Sequence, residues 1–161
     1  AVDRNWGIGK NNDLLFHLKK DMQFFKEKTM GNVVVMGGNT LLSLPGAKPL
    51  ARRTNIVISD VFKRDDVVMV ETFPELLALL NTYDSDKLYV MGGAMLYRTL
   101  LPYCDTVYVT KVDADGEPQV YYENLDKLDN WSCVEVSDPI EDEGYTIRFT
   151  TYKNSSPKPF V

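Results

Sequence analysis

Apolar residues in this chain come in short runs of at most four or five, such as Val33-Val34-Val35-Met36 and Leu76-Leu77-Ala78-Leu79-Leu80, separated by polar stretches with helical spacing. Short β-rich runs alternating with helical patterns predict an α/β layer architecture. Strands are predicted over 32–36, 54–59, 67–70, 87–91, 106–112, 131–136 and 145–152, and helices over 18–30, 40–44, 74–80 and 94–101. The third helix has its own start chemistry: Thr72-Phe73-Pro74-Glu75 reads as a capping box with proline in the first turn. The fourth must stop before Pro102, which cannot continue a helix. The last two predicted strands have no helix between them, which predicts an antiparallel C-terminal edge on a mostly parallel sheet. Residues 1–153 are read as one domain and 154–161, with its serines and prolines, as a flexible tail.

One four-letter echo stands out. Val35-Met36-Gly37-Gly38 and Val90-Met91-Gly92-Gly93 each end a predicted strand and precede a predicted helix. Two such junctions place helix N-termini at the carboxyl edge of a parallel sheet, where α/β folds bind ligands and where free N–H groups favour anions. The plainer reading is that the glycines only permit tight strand-to-helix turns. Neither pair is a GxGxxG, so the echo points to a nucleotide only as a pair.

A second feature is a carboxylate out of place. Leu18, Met22 and Phe25 line one face of the first helix, and Asp21 lies inside that stripe. A carboxylate on a buried face is costly unless paired. Asp21 either complements the helix dipole or grips an amidine-like group with two parallel hydrogen bonds. The stretch before this helix, Asn5 to Phe16, is rich in glycine and asparagine yet carries Trp6, Ile8, Leu14, Leu15 and Phe16. It reads either as a lid over a flat ligand or as a loop packed on the domain.

Composition narrows the field by exclusion. Net charge is −5 and no basic cluster exceeds two residues, so a phosphate-backbone partner is not expected. No run approaches the ~20 apolar residues of a membrane span. No signal peptide is recognised ahead of the first polar residues. Cys104 and Cys133 form neither a CxxC nor a zinc pattern and are expected to be reduced thiols. His17 is the only histidine and no GxSxG occurs, so no metal site and no serine-hydrolase chemistry are expected.

Taken in order, these segments resemble the bacterial dihydrofolate reductases. The likeness runs through Val2-Asp3-Arg4-Asn5-Trp6-Gly7-Ile8-Gly9, Leu14-Leu15-Phe16-His17-Leu18, Asp21, Phe24-Phe25-Lys26 and Thr29. It continues with Val35-Met36-Gly37, Thr40, Lys48-Pro49-Leu50, Arg53 to Ser59, Met91-Gly92-Gly93-Ala94, Leu96-Tyr97, Leu101-Pro102, Val107 to Thr110 and Asp113-Ala114. The resemblance implies a mostly parallel eight-stranded sheet flanked by four helices. It implies NADPH-dependent reduction of dihydrofolate to tetrahydrofolate for one-carbon metabolism, in a cytoplasmic monomer with dihydrofolate and antifolate inhibitors as its ligands. Asp21 would be the catalytic acid-side anchor of the pteridine, helped by Thr110 through a water. Leu14, Met22, Phe25, Leu44, Leu50 and Met91 would wall the substrate, and Arg53 would take the carboxylate of its glutamate tail. Ile8, Gly9, Gly37, Gly38, Asn39, Thr40, Ser59, Gly92, Gly93, Ala94, Met95, Leu96 and Tyr97 would hold the cofactor, with Gly92–Gly93 as a cis peptide.

The departures from the family pattern carry their own expectations. The family's first strand would precede Ala1, which is read as truncation. Leu15-Phe16 stands for the usual Pro-Trp, and Lys19 for a common Pro. Gly38 stands where most members carry Arg and Met95 where some carry another, while Asp60 adds negative charge beside Ser59. Lys63 and Arg64 are therefore expected to hold the ribose 2′-phosphate in part, leaving a narrower NADPH preference. Two rivals remain: the related pyrimidinone reductase of riboflavin synthesis, and a catalytically idle nucleotide-binding module.

Overall fold

A computed structural model describes residues 1–160. The chain opens with β1 (Gly7–Lys10) and β2 (Asp13–Leu14), followed by α1 (Lys19–Thr29), β3 (Val33–Gly37) and α2 (Gly38–Ser43). Next come β4 (Thr54–Ile58), β5 (Val68–Val70), α3 (Phe73–Leu80), β6 (Leu88–Val90) and α4 (Ala94–Leu100). The chain closes with β7 (Thr106–Val112), β8 (Val120–Tyr121), β9 (Trp131–Val136), β10 (Ile140–Asp142) and β11 (Tyr145–Asn154). It divides into two compact units: Lys26–Leu100, and Ala1–Phe25 together with Leu101–Lys158.

The unit built on Lys26–Leu100 is a parallel sheet in the order β5-β4-β3-β6, with Val33↔Thr54 and Val33↔Leu88 setting its register. Its two central strands are near-continuous apolar runs because a parallel sheet is covered on both faces. Val34, Val35, Met36, Ile56 and Val57 are fully buried, as are Leu41 and Leu76 from the helices. At the start of α3, Thr72 accepts the Glu75 N–H and the Glu75 carboxylate reaches back to the Glu71 N–H. The predicted cap is present, displaced by one residue in its return bond.

In the other unit β11 pairs antiparallel with β7 on one side and with β9 and β10 on the other. β1 pairs with both β2 and β8 in a three-stranded antiparallel sheet. Trp6, Val109, Leu125, Trp131 and Tyr152 form one core cluster here, and Phe16, Leu18, Val112 and Ile147 another. After β11 the chain is still hydrogen-bonded: the Ser155 N–H donates to the Asn130 carbonyl and the Lys158 N–H to Pro102.

The α/β class and the four α-helices match expectation among the described residues. The sheet does not form as expected. Instead of one mostly parallel eight-stranded sheet, the strands pair as a parallel four-stranded, an antiparallel four-stranded and a three-stranded sheet. From β7 onward no α-helix intervenes to carry the chain back for parallel pairing, so antiparallel pairing extends well beyond an edge.

Candidate active site

Asp21 sits in the first turn of α1. That turn is held from β10, where the buried Asp142 carboxylate accepts the Lys20 N–H at 2.8 Å. An acceptor here satisfies one of the orphan donors of a helix start and complements its dipole. With the turn fixed, Asp21 meets β7: the buried Thr110 hydroxyl donates to its Oδ1 at 2.6 Å. The bond is of the short charge-assisted kind. The apolar stripe around Asp21 is not uniformly core. Leu18 is buried and Phe25 half-buried, but Met22 is 60% exposed, because the same spacing serves an apolar surface as well as a buried one.

Most of the apolar surface in the loop ahead of α1 is packed on the domain. The buried Asp3 carboxylate accepts the N–H groups of Asn5, Gly7 and Gly116 at 2.8, 2.8 and 3.1 Å. Trp6, Ile8 and Phe16 join or pack on the core clusters. Leu15 lies so close to Gly116 that a Cβ there would fall 2.6 Å from its Cγ. Packing therefore accounts for these residues, whereas Leu14 is 61% exposed and free to face a ligand. Gly9 is buried with its carbonyl bonded to the Gln119 N–H.

Within the Lys26–Leu100 unit the two Gly-Gly junctions are physical neighbours. The Gly37 N–H donates to the Gly92 carbonyl and the Met91 N–H to Val35, both at 2.9 Å. The Gly92–Gly93 peptide is cis. The Thr40 hydroxyl lies 3.5 Å from where a Gly93 Cβ would be, and the Tyr97 ring 3.4 Å from that of Gly92. Gly37 is the N-cap of α2 and offers no side-chain acceptor, so the first N–H groups of that helix receive no side-chain cap. Phe62 and Ser59 stand over Gly38: a Cβ there would meet Phe62 Cε1 and Ser59 Cβ and Oγ at 2.9 Å. Met95 is 76% exposed and Asn39 exposed, while Ala94 is half-buried. Leu96 is 6% exposed and belongs to the core.

Arg64 forks onto Asp66 and donates to the Ala47 carbonyl at 2.6 Å, and Lys63 pairs with Glu71 at 3.5 Å. Both cations expected to hold a phosphate thus have protein partners. Leu44, Leu50 and Met91 are half-buried. Arg53 is also half-buried, and desolvation lowers the pKa of its guanidinium from the ordinary value. Its Nε donates to the Ala51 carbonyl at 3.0 Å and Nη1 to the Thr29 hydroxyl at 3.1 Å.

Sequence reasoning gave no sign of the contacts that Asp142 makes with Lys20 and that Phe62 makes over Gly38.

A family model for dihydrofolate reductase matches residues 1–154. The dihydrofolate reductase of Bacillus subtilis (strain 168) is 34% identical over 162 residues, covering 97% of this chain and 94% of its own length. A type 3 dihydrofolate reductase of Salmonella typhimurium is 33% identical, covering 94% and 93%. In structure the chain is similar to an Enterococcus faecalis dihydrofolate reductase complexed with NADP(H) and RAB-propyl, with a TM-score of 0.83 at 30% identity and coverage of 96% and 93%. With the match extending from the loop of Asp3 through Asp21, both Gly-Gly junctions and Thr110 to the end of β11, the chain belongs to the dihydrofolate reductase family.

Proposed function

We infer that this protein is an NADPH-dependent oxidoreductase that reduces the C=N bond of dihydrofolate to give tetrahydrofolate. The single observation that carries the assignment of roles is the Asp21 carboxylate held by the Thr110 hydroxyl at 2.6 Å on a helix whose first turn is pinned by Asp142. A fixed carboxylate with one oxygen oriented by a neutral donor presents its remaining lone pairs to a planar amidine-like edge. Binding there orients the pteridine and favours a protonated imine nitrogen electrostatically, while a water delivers the proton that Asp21 does not reach directly. Exposed Leu14 and Met22 with half-buried Phe25 supply the apolar surface such a flat ring needs.

The residues present also fit the cofactor. Side chains are absent at Gly37, Gly92 and Gly93, and nothing lies nearer than 3.4 Å to where their Cβ atoms would be, so an anionic group can approach the backbone at two neighbouring junctions. Thr40 and Ser59 add hydroxyl donors. NADPH, when bound, supplies the hydride; the chain's residues bind, orient and exclude water. Arg53 takes the glutamate carboxylate of the substrate.

The protein acts on a small molecule as a cytoplasmic monomer, open to antifolates, without a nucleic-acid partner. Its net charge of −5 supports the last point, and among the described residues no helix is long and apolar enough to cross a membrane. The test is one cuvette: absorbance at the reduced-nicotinamide band should fall when dihydrofolate is added. Decay with a riboflavin-pathway pyrimidinone instead, or with neither substrate, contradicts the assignment.

A further inference from the structure

Asn55 occupies β4 in register with Val34, in the centre of the parallel sheet, and is 6% exposed. A buried amide there is destabilising unless its hydrogen bonds are met, and among the described residues no buried side-chain polar atom lacks a partner. None of its bonds serves the sheet. Oδ1 accepts the Leu50 N–H at 2.9 Å, while Nδ2 donates to the Leu50 and Arg53 carbonyls, each at 2.9 Å. One side chain thus closes the segment from Leu50 to Arg53 into a ring. The segment needs such a clasp, because Arg52 is held at a φ of 60°, a left-handed conformation unfavourable for a residue other than glycine. The Gly31 N–H, bonded to the Arg52 carbonyl at 2.9 Å, fixes the other face of the turn.

The clasp has a functional consequence at Arg53. Its guanidinium has five N–H donors, and the bonds to Ala51 and Thr29 engage Nε and one on Nη1. The remaining donors lie on Nη1 and Nη2, along the edge that accepts a carboxylate with two parallel bonds. Such a fork has value only if its plane is set beforehand. Here the plane is set by a buried threonine and by a backbone that Asn55 holds at both ends. We propose that Asn55 is a positioning residue for recognition of the substrate's carboxylate tail: it acts through Arg53 and Leu50 and touches no reacting atom. This inference rests on the reading of Arg53 given above.

The experiment compares dihydrofolate with a dihydropteridine that lacks the aminobenzoylglutamate tail. KM and kcat are measured for both in the parent, Asn55→Leu, Asn55→Ser, Arg53→Leu and the Asn55→Leu/Arg53→Leu double variant, with a thermal melt for each. Losing alignment of a charge-assisted pair raises KM for dihydrofolate roughly 10-fold or more in the Asn55 variants. The tail-less substrate and kcat stay close to the parent, and Asn55→Leu adds nothing once Arg53 is gone. Equal losses on both substrates, or losses that add to those of Arg53→Leu, overturn the inference, as does failure of both Asn55 variants to fold. If Arg53→Leu does not distinguish the two substrates, the reading of Arg53 is wrong and the inference goes with it. If Arg53→Leu distinguishes them and the Asn55 variants do not, this inference alone is refuted.

Discussion

Gly38→Arg restores a cation where most of the family has one, yet the structure gives it a penalty as well as a benefit. A Cβ at this position would lie 2.9 Å from Phe62 Cε1 and from Ser59 Cβ and Oγ, inside van der Waals contact. Phe62 can swing away at its far end, but Ser59 Cβ is fixed to the backbone just after β4. Overpacking of this kind costs about 1–3 kcal/mol. A charge-assisted bond from the new arginine to a ribose phosphate contributes about 1.5–3 kcal/mol, or about 10- to 150-fold in affinity. The two effects are of similar size and opposite sign. The single variant should therefore unfold at lower urea and gain little for NADPH, whereas Gly38→Arg with Ser59→Gly, which removes the contact that cannot move and gives up one neutral hydroxyl donor, should tighten NADPH by roughly several-fold. NADH, lacking the phosphate, should be unmoved in both. Fluorescence titrations with the two cofactors and urea melts read the outcome. If Gly38→Arg alone is as stable as the parent and gains its full selectivity for NADPH, Phe62 and Ser59 do not constrain this position. If the double variant gains none, the phosphate lies elsewhere.

Two further outcomes follow from groups outside the substrate surface. Asp142→Ala removes the acceptor for the Lys20 N–H and should lower unfolding free energy by about 0.5–2 kcal/mol in a urea titration, with an unchanged midpoint refuting its capping role. Burial, and then the neighbouring Asp105, push the Cys104 thiol from 9.0 up to about 11. The folded state holds the neutral thiol longer than the unfolded chain does, so its contribution is complete below pH 9 and lost as pH rises through about 11. That is about 2–3 kcal/mol at roughly 1.4 kcal/mol per unit. Urea melts across this range should flatten in Cys104→Ala, and an identical slope in both proteins would contradict the assignment.

The parts legible in the sequence were those with a repeating pattern or a rule broken. β3, β4 and β7 show as apolar runs, α3 shows by Thr72, Pro74 and Glu75, and Asp21 shows because a carboxylate interrupts an apolar stripe. The Gly-Gly echo was legible as an ambiguity between an anion site and tight turns, and the bond from Gly37 to Gly92 makes its two junctions physical neighbours. β2, β8 and β10 are two or three residues long, too short to display a period of two. Exposure of Met22 and burial of Leu96 are likewise invisible to spacing, since one period describes an apolar face whatever covers it. Asp142 and Phe62 act across more than a hundred residues and across a loop respectively, and only the folded chain brings them to Lys20 and Gly38. Lys63 and Arg64, whose charge suggested a phosphate, pair within the chain with Glu71 and with Asp66 two residues on.

The central claim is that Asp21 anchors and polarises the substrate ring, and Asp21→Asn tests it most directly. The amide keeps the side chain's shape and can still accept from the Thr110 hydroxyl, so the melt should stay close to the parent. With the charge gone, dihydrofolate-dependent NADPH oxidation at neutral pH should fall by roughly 100-fold or more, the scale of a lost acid–base contribution. A folded Asp21→Asn protein that turns over dihydrofolate at nearly the parent rate would contradict the account.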